Sequence, residues 1–254
     1  MDNRQKNGWS KIPELTLLFW IMKIAATTLG ETGGDLLAQT LQIGYGTSTI
    51  LFFAFFLVMV TCQLLVKKYI PVIFWAVIVA TSTAGTTMSD YMDRTLGLGY
   101  AMGSLILVSV LIITLITWRL TEKTLSVTEI KSFRGEIFYW TAILFSNTLG
   151  TALGDFLADN SGLGFGGSAL LITTVLLVVV LAYYFTSFSR VVLFWIAFVL
   201  TRPFGATFGD LLTKKQELGG LEYGTWVASL ILFGLLIVLI IYETVKLKRQ
   251  PVIA

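Results

Sequence analysis

The chain has 254 residues, 56% of them hydrophobic and 13% charged, with a formal net charge of +3. Soluble domains carry about 25% charged residues, so a chain this apolar needs lipid as its solvent, and its few scattered cations exclude a nucleic-acid footprint. Histidine is absent and Cys62 is the only cysteine, which excludes His-ligated metals, Cys–His nucleophiles and disulfide frameworks.

Residues 1–13 are polar, contain Trp9 and Pro13, and run into a patterned helix. No small-residue cleavage site follows, so no cleavable signal peptide is expected. From there a repeat governs the chain. Aromatic–Trp pairs stand at Phe19–Trp20, Phe74–Trp75, Tyr139–Trp140 and Phe194–Trp195. Ten residues after each Trp comes a glycine: Gly30, Gly85, Gly150 and Gly205. Fifteen after each Trp comes Asp35, Asp90, Asp155 or Asp210. A Gly-rich aromatic turn follows each Asp, as in Gly44-Tyr45-Gly46. Trp is too rare for four such coincidences by chance.

At about 20 residues per span, each copy supplies two spans. The expected order is an N-terminal segment 1–12, repeat 1 at 13–69, repeat 2 at 70–120, a linker 121–135, repeat 3 at 136–189, repeat 4 at 190–247 and a tail 248–254. The first spans of the copies run over 14–36, 71–92, 136–158 and 191–212, and the second over 47–66, 101–119, 167–188 and 225–245. Pro71 suits a helix start. Pro203 should kink or break the seventh span. Cys62 lies in an apolar run and reads as a small buried side chain.

Lys and Arg set the orientation. Arg4, Lys6, Lys11, Lys67, Lys68, Arg119, Lys123, Lys131, Arg134, Arg190, Lys246, Lys248 and Arg249 lie on the side of the termini, against Arg94, Lys214 and Lys215 on the other. Both termini are therefore expected in the cytoplasm, in a bacterial inner membrane. The fold class is all-α: a polytopic membrane protein of eight transmembrane helices, arranged as four parallel two-helix repeats with pseudo-fourfold or nested twofold symmetry.

The second spans are apolar all round and suit lipid contact. The first spans carry the Gly, Thr and Ser residues that permit close helix approach, so they belong inside. The four Asp residues would then form a ring of negative potential, which favours cations. Glu31, Asp93, Asp159, Glu217 and Glu222 add to an acidic outer vestibule. Three positions break the symmetry. Lys23 replaces Ile78, Ile143 and Phe198; Arg202 replaces Thr27, Ser82 and Asn147; Glu31 replaces Thr86, Thr151 and Ala206. Lys23, Thr27 and Glu31 share one helix face, and a Glu31–Arg202 or Glu31–Lys23 pair would neutralise intramembrane charge, as a latch between copies or as a gate.

The four tandem two-span copies, each with its Trp and its Thr/Gly-rich segment ending in Asp, resemble a family of bacterial membrane proteins with four tandem two-helix repeats, over residues 13–247. The resemblance implies this architecture and carries over no activity or site residue.

The residues favour a transporter for a small cation of the Mn²⁺ or Mg²⁺ type, since carboxylates and hydroxyls are hard oxygen donors. Asp35, Asp90, Asp155 and Asp210 would be metal ligands or selectivity groups, with Glu31, Thr27, Thr32, Thr86, Thr87 and Thr151 as further donors. Lys23, Arg202 and Glu31 would form the charge pair or gate. The alternatives are a non-transporting binding, sensory or scaffold protein, and a monovalent cation channel with Gly44-Tyr45-Gly46 as its filter. The filter comparison is weak, because a turn between helices explains Gly and aromatic residues more simply. No cofactor and no enzymatic activity is expected. Membrane lipid and a small cation are the expected partners, with nucleic acid excluded and a homo-oligomer open.

Overall fold

The computed structural model describes residues 11–130 and 132–249. Arg4, Lys6, Lys131, the absent cleavage site and most of the expected N-terminal segment and tail lie outside these residues. Eight long helices follow in order: α1 (Leu17–Asp35), α2 (Tyr45–Leu65), α3 (Pro71–Asp90), α4 (Tyr100–Glu122), α5 (Phe133–Asp155), α6 (Gly164–Phe185), α7 (Arg190–Thr213) and α8 (Thr225–Arg249). Six of them, all but α1 and α5, are long and apolar enough to cross a membrane. The chain is a membrane protein. The other two carry buried polar side chains, Lys23 and Glu31 in α1 and Glu136 and Asn147 in α5.

Local chemistry starts these helices. Thr16 accepts from the Phe19 amide ahead of α1, and Ser132 accepts from the Gly135 amide at 2.8 Å ahead of α5. Such caps satisfy donors that the first turn leaves free. Pro71 occupies the first turn of α3, as its sequence suggests. Gly44 and Gly99 precede α2 and α4 at φ +83° and +72°, a conformation that other residues reach only at a cost. The Gly-aromatic turn is thus a helix start, with Tyr45 and Tyr100 as first helical residues.

The odd helices close on one another: α1 packs on α3 and α7, and α5 packs on α3 and α7. Each even helix lies outside this ring and packs on the odd helix of the following copy: α2 on α3, α4 on α5, α6 on α7, and α8 back on α1. Burial follows the same division. The apolar stretch of α3 is 72% buried and that of α7 50%, against 22% for α2, α4, α6 and α8.

The repeated glycine explains the ring. A Cβ on Gly30 would meet Ser82 Cβ at 2.2 Å. One on Gly85 would meet the Asn147 backbone at 3.0 Å, one on Gly150 would meet Arg202 Cγ at 2.3 Å, and one on Gly205 would meet Thr27 Oγ1 at 2.6 Å. Each glycine therefore receives the residue seven places after the Trp of the next copy, and the fourth receives that of the first. A second small residue stands four further on (Gly34, Ser89, Gly154 and Gly209), which gives each helix the small-xxx-small seam of close membrane crossings. The aromatic pairs repeat the handover. Phe19 meets Trp75 at 5.7 Å between ring centroids, Phe74 meets Trp140 at 5.6 Å, and Phe194 meets Trp20 at 5.9 Å. In the third copy Tyr139 contacts Trp118 instead, and Trp118 contacts Trp195.

Two expectations need correction and one is narrowed. Pro203, expected to kink or break α7, leaves the helix unbroken from Arg190 to Thr213. It replaces Thr28, Thr83 and Thr148, whose hydroxyls bond back to the carbonyl one turn before. Cys62 is exposed rather than buried, because α2 lies at the periphery and most of its surface faces away from the ring. The acidic side is no open vestibule either. Glu31, Asp35, Asp90, Asp93, Asp155 and Asp210 are all buried, and only Asp159, Glu217 and Glu222 are exposed.

Candidate functional site

Four-residue spacing follows one ridge of a helix, and it stacks the inner residues in levels. Counting from each Trp, the levels are Lys23, Ile78, Ile143 and Phe198; then Thr27, Ser82, Asn147 and Arg202; then Glu31, Thr86, Thr151 and Ala206; then the four Asp residues. Every one of these side chains is buried.

At the second and third levels, Arg202 Nη2 donates to Glu31 Oε2 at 3.0 Å and to Thr151 Oγ1 at 2.7 Å, and also to Thr86 Oγ1. Thr86 and Thr151 donate in turn to Glu31 Oε2 at 3.3 and 3.4 Å. All four copies meet here, since Arg202 Nη2 also lies 3.5 Å from the Ser82 carbonyl. Lys23 does not pair with Glu31. Its ammonium lies 3.5 Å from Asn147 Oδ1 and 4.2 Å above the Phe198 ring, and Asn147 Nδ2 donates to Thr81 Oγ1 at 2.9 Å.

The four Asp residues end α1, α3 and α5 and lie in the last turn of α7. In the first three copies the helix then widens into a five-residue π turn: Leu36–Thr40, Tyr91–Thr95 and Phe156–Asn160. Leu41 and Leu96 accordingly donate to the carbonyls five residues back, both at 2.9 Å. Such turns are rare and collect at functional sites. They carry the fifth level, Gln39, Arg94 and Asp159, with Lys214 as the fourth member just beyond α7.

Arg94 bridges Asp90 Oδ1 at 2.7 Å and Asp155 Oδ2 at 3.2 Å. Lys214 bridges Asp35 Oδ2 at 2.5 Å and Asp210 Oδ1 at 3.3 Å. Two cations thus serve four carboxylates, one from copy two reaching copy three and one from copy four reaching copy one. Burial works against the Lys214 charge, but Asp210 and Asp35 outweigh it and hold the ammonium pKa above its ordinary value. Glu31, Asp35 and Asp210 each offer a carboxylate oxygen within 4.8 Å of the others. That spacing suits an oxygen-ligated cation.

A family model described as "Repeat of Unknown Function (DUF347)" matches the chain four times, at residues 18–69, 73–124, 138–189 and 193–246. The chain belongs to the DUF347 family. No curated protein and no solved structure matches it significantly. Four DUF347 repeats in one chain agree with the closed order of contacts, in which copy four returns to copy one.

Of the expected site residues, the structure gathers Asp35, Asp90, Asp155, Asp210, Glu31, Thr86, Thr151 and Arg202 in adjoining levels. Thr27 serves the crossing with α7, donating to the Thr201 carbonyl at 3.3 Å. Thr32 faces α8, where it accepts from Ser229 Oγ at 2.9 Å. Thr87 bonds back to Thr83 and Ala84 in its own helix. Arg94 and Lys214 do not stand out when sought by sequence alone. Their signal is their position, four residues after the repeated Asp, where an opposite charge faces the same helix side.

Proposed function

We propose that the protein is a membrane permease for a small cation, with a divalent metal of the Mn²⁺ or Mg²⁺ type as its cargo. The observation that carries this reading is the approach of Glu31, Asp35 and Asp210 to within 4.8 Å, with the Lys214 ammonium on two of the three. The protein's own cation stands where a free cation would be held. Ionisable groups inside a membrane are expensive and mark ion pathways by default. An arriving ion would displace Lys214 and take the carboxylates as ligands, with the π turns giving that end of each inner helix its adaptable backbone.

In this reading all eight helices span the membrane as four parallel repeats about one axis, with both termini in the cytoplasm of a bacterial inner membrane. The distribution of Lys and Arg supports that orientation. Two of the three basic residues on the opposite side, Arg94 and Lys214, are bound to the buried Asp residues, so they hardly weaken the bias.

The test is uptake of radioactive manganese into proteoliposomes holding the full chain. Uptake above that of empty liposomes, lost in Asp35→Asn/Asp210→Asn, is the expected result. Wild-type uptake equal to that of empty liposomes would remove the transport reading. One observation favours a non-transporting scaffold instead: Arg94 and Lys214 already pair all four Asp carboxylates. Under that reading the Asn variants lose thermal stability and the wild type carries no manganese.

A further inference from the structure

We infer that the protein binds one small monovalent anion, of halide type, at the Lys23–Arg202 levels of the inner ring. The argument is an excess of donors. Among the described residues, Arg202 Nε and Nη1 have no hydrogen-bond partner, although the side chain is fully buried. Its whole set of contacts crowds onto Nη2. Ser82 Oγ, in the same level, is buried and has no partner either. One level away, Lys23 is fully buried, with one long hydrogen bond to Asn147 Oδ1 and an aromatic face for company.

A guanidinium has five N–H donors and an ammonium three, and neither accepts. A buried donor left unmade costs the desolvation of that group. Four helices meet here: Lys23 from α1, Ser82 from α3 and Arg202 from α7 bring the excess of donors, while Asn147 from α5 accepts from Lys23 and donates to Thr81. These two levels hold no carboxylate of their own, and Glu31, one level further on, is already held by Arg202 at 3.0 Å. Two buried cations against one carboxylate leave a formal charge of one positive. The complementary ligand accepts hydrogen bonds, donates none, and carries one negative charge. The same count disfavours a cationic ligand at Lys23 and Arg202; Glu31, held by Arg202, borders both this site and the carboxylate cluster beyond it, and the anion proposal does not rest on the permease reading.

The sequence supplies a clean variant. Lys23→Ile installs the residue that Ile78 and Ile143 provide in copies two and three, so the change fits the ring. Equilibrium dialysis of the detergent-purified full chain against radioactive chloride should show saturable binding of one ion per chain. In Lys23→Ile the affinity should fall by about tenfold or more, the loss of one buried charged hydrogen bond. The wild-type unfolding midpoint should also be higher in sodium chloride than in sodium gluconate of equal ionic strength, and this difference should vanish in the variant. Size-exclusion chromatography and circular dichroism confirm that the variant is folded. Absence of saturable chloride binding in the wild type, or equal binding in the folded variant, would overturn the proposal. Either result would assign these donors to buried water or to an uncharged Lys23.

Discussion

Arg202 Nη2 and Glu31 Oε2 meet at 3.0 Å between the last odd helix and the first, although they stand 171 positions apart in sequence. Both side chains are buried, so removing either one strands a charge. Arg202→Thr or Glu31→Thr alone should cost about 3–5 kcal/mol. The double variant, which installs what other copies hold at those levels, should recover most of that loss. Thermal unfolding followed by circular dichroism measures it. A double variant no more stable than the worse single one would show that the pair does not act as a unit.

The close glycine crossings give a second contrast. Gly30→Ala would drive a methyl onto Ser82 Cβ at 2.2 Å and onto its backbone carbon at 2.9 Å. Overpacking of that kind costs about 1–3 kcal/mol or more. Gly33→Ala, on the same helix, meets only Thr83 Cγ2 at 3.7 Å. It should be neutral or mildly stabilising, since Ala is a better helix former than Gly. Equal losses in the two variants would refute the assignment of Gly30 to the seam.

In the permease reading, Lys214 occupies the carboxylates of Asp35 and Asp210 that an incoming cation would take. Lys214→Met should therefore tighten Mn²⁺ binding by about tenfold, the scale of one removed like charge. Asp210→Asn should weaken it. Electron paramagnetic resonance of free Mn²⁺ over the purified protein reads both. Weaker binding in Lys214→Met would mean that the ammonium organises the carboxylates instead of occupying their place.

The raised pKa of Lys214 sets a pH dependence. A cation whose folded pKa lies above its unfolded value stabilises fully below the unfolded pKa, about 10.4 for lysine. That contribution is lost only as pH rises through the higher folded value. The stability difference between wild type and Lys214→Met should stay constant from neutral pH to about 10. A difference that shrinks over this window would show that the Asp residues do not hold the ammonium.

The return of α8 to α1 is open to cross-linking. Thr40 Oγ1 and Thr225 Oγ1 are exposed and lie 2.7 Å apart. Thr40→Cys/Thr225→Cys, placed in a Cys62→Ala background, should form an intramolecular disulfide under mild oxidation. Cleavage of the chain between the two sites would then leave one band without reductant and two with it. Separate bands without reductant would argue against the closed order.

The elements were legible because Trp, Gly and Asp mark each copy at fixed intervals, and a span's length follows from the thickness of lipid. What the glycines touch was not legible. Gly85 and Asn147 sit in different copies, and only the order in which helices neighbour one another brings them together. The π turns left no trace either: Leu36-Leu37-Ala38-Gln39-Thr40 reads as ordinary helix, and one extra residue per turn is a backbone matter. Within the site, the Asp level could be read directly, because the repeat points to it. Arg94 and Lys214 were hidden by that same focus. They occupy a position where the copies differ, and a search for what recurs passes over it.

The displaced packing of the outer helices bears on how the chain is made. Helix α1 leaves the ribosome with Lys23 and Glu31 already inside it, while Arg202 and its covering helix α8 are still unsynthesised. Until the last quarter of the protein emerges, the first helix is exposed along two seams. During synthesis the buried polar groups of the first helix therefore precede the helices that will cover them. A circularly permuted gene that starts at α8 would close one of the two seams at once, while the α7 seam that carries Arg202 would still form last.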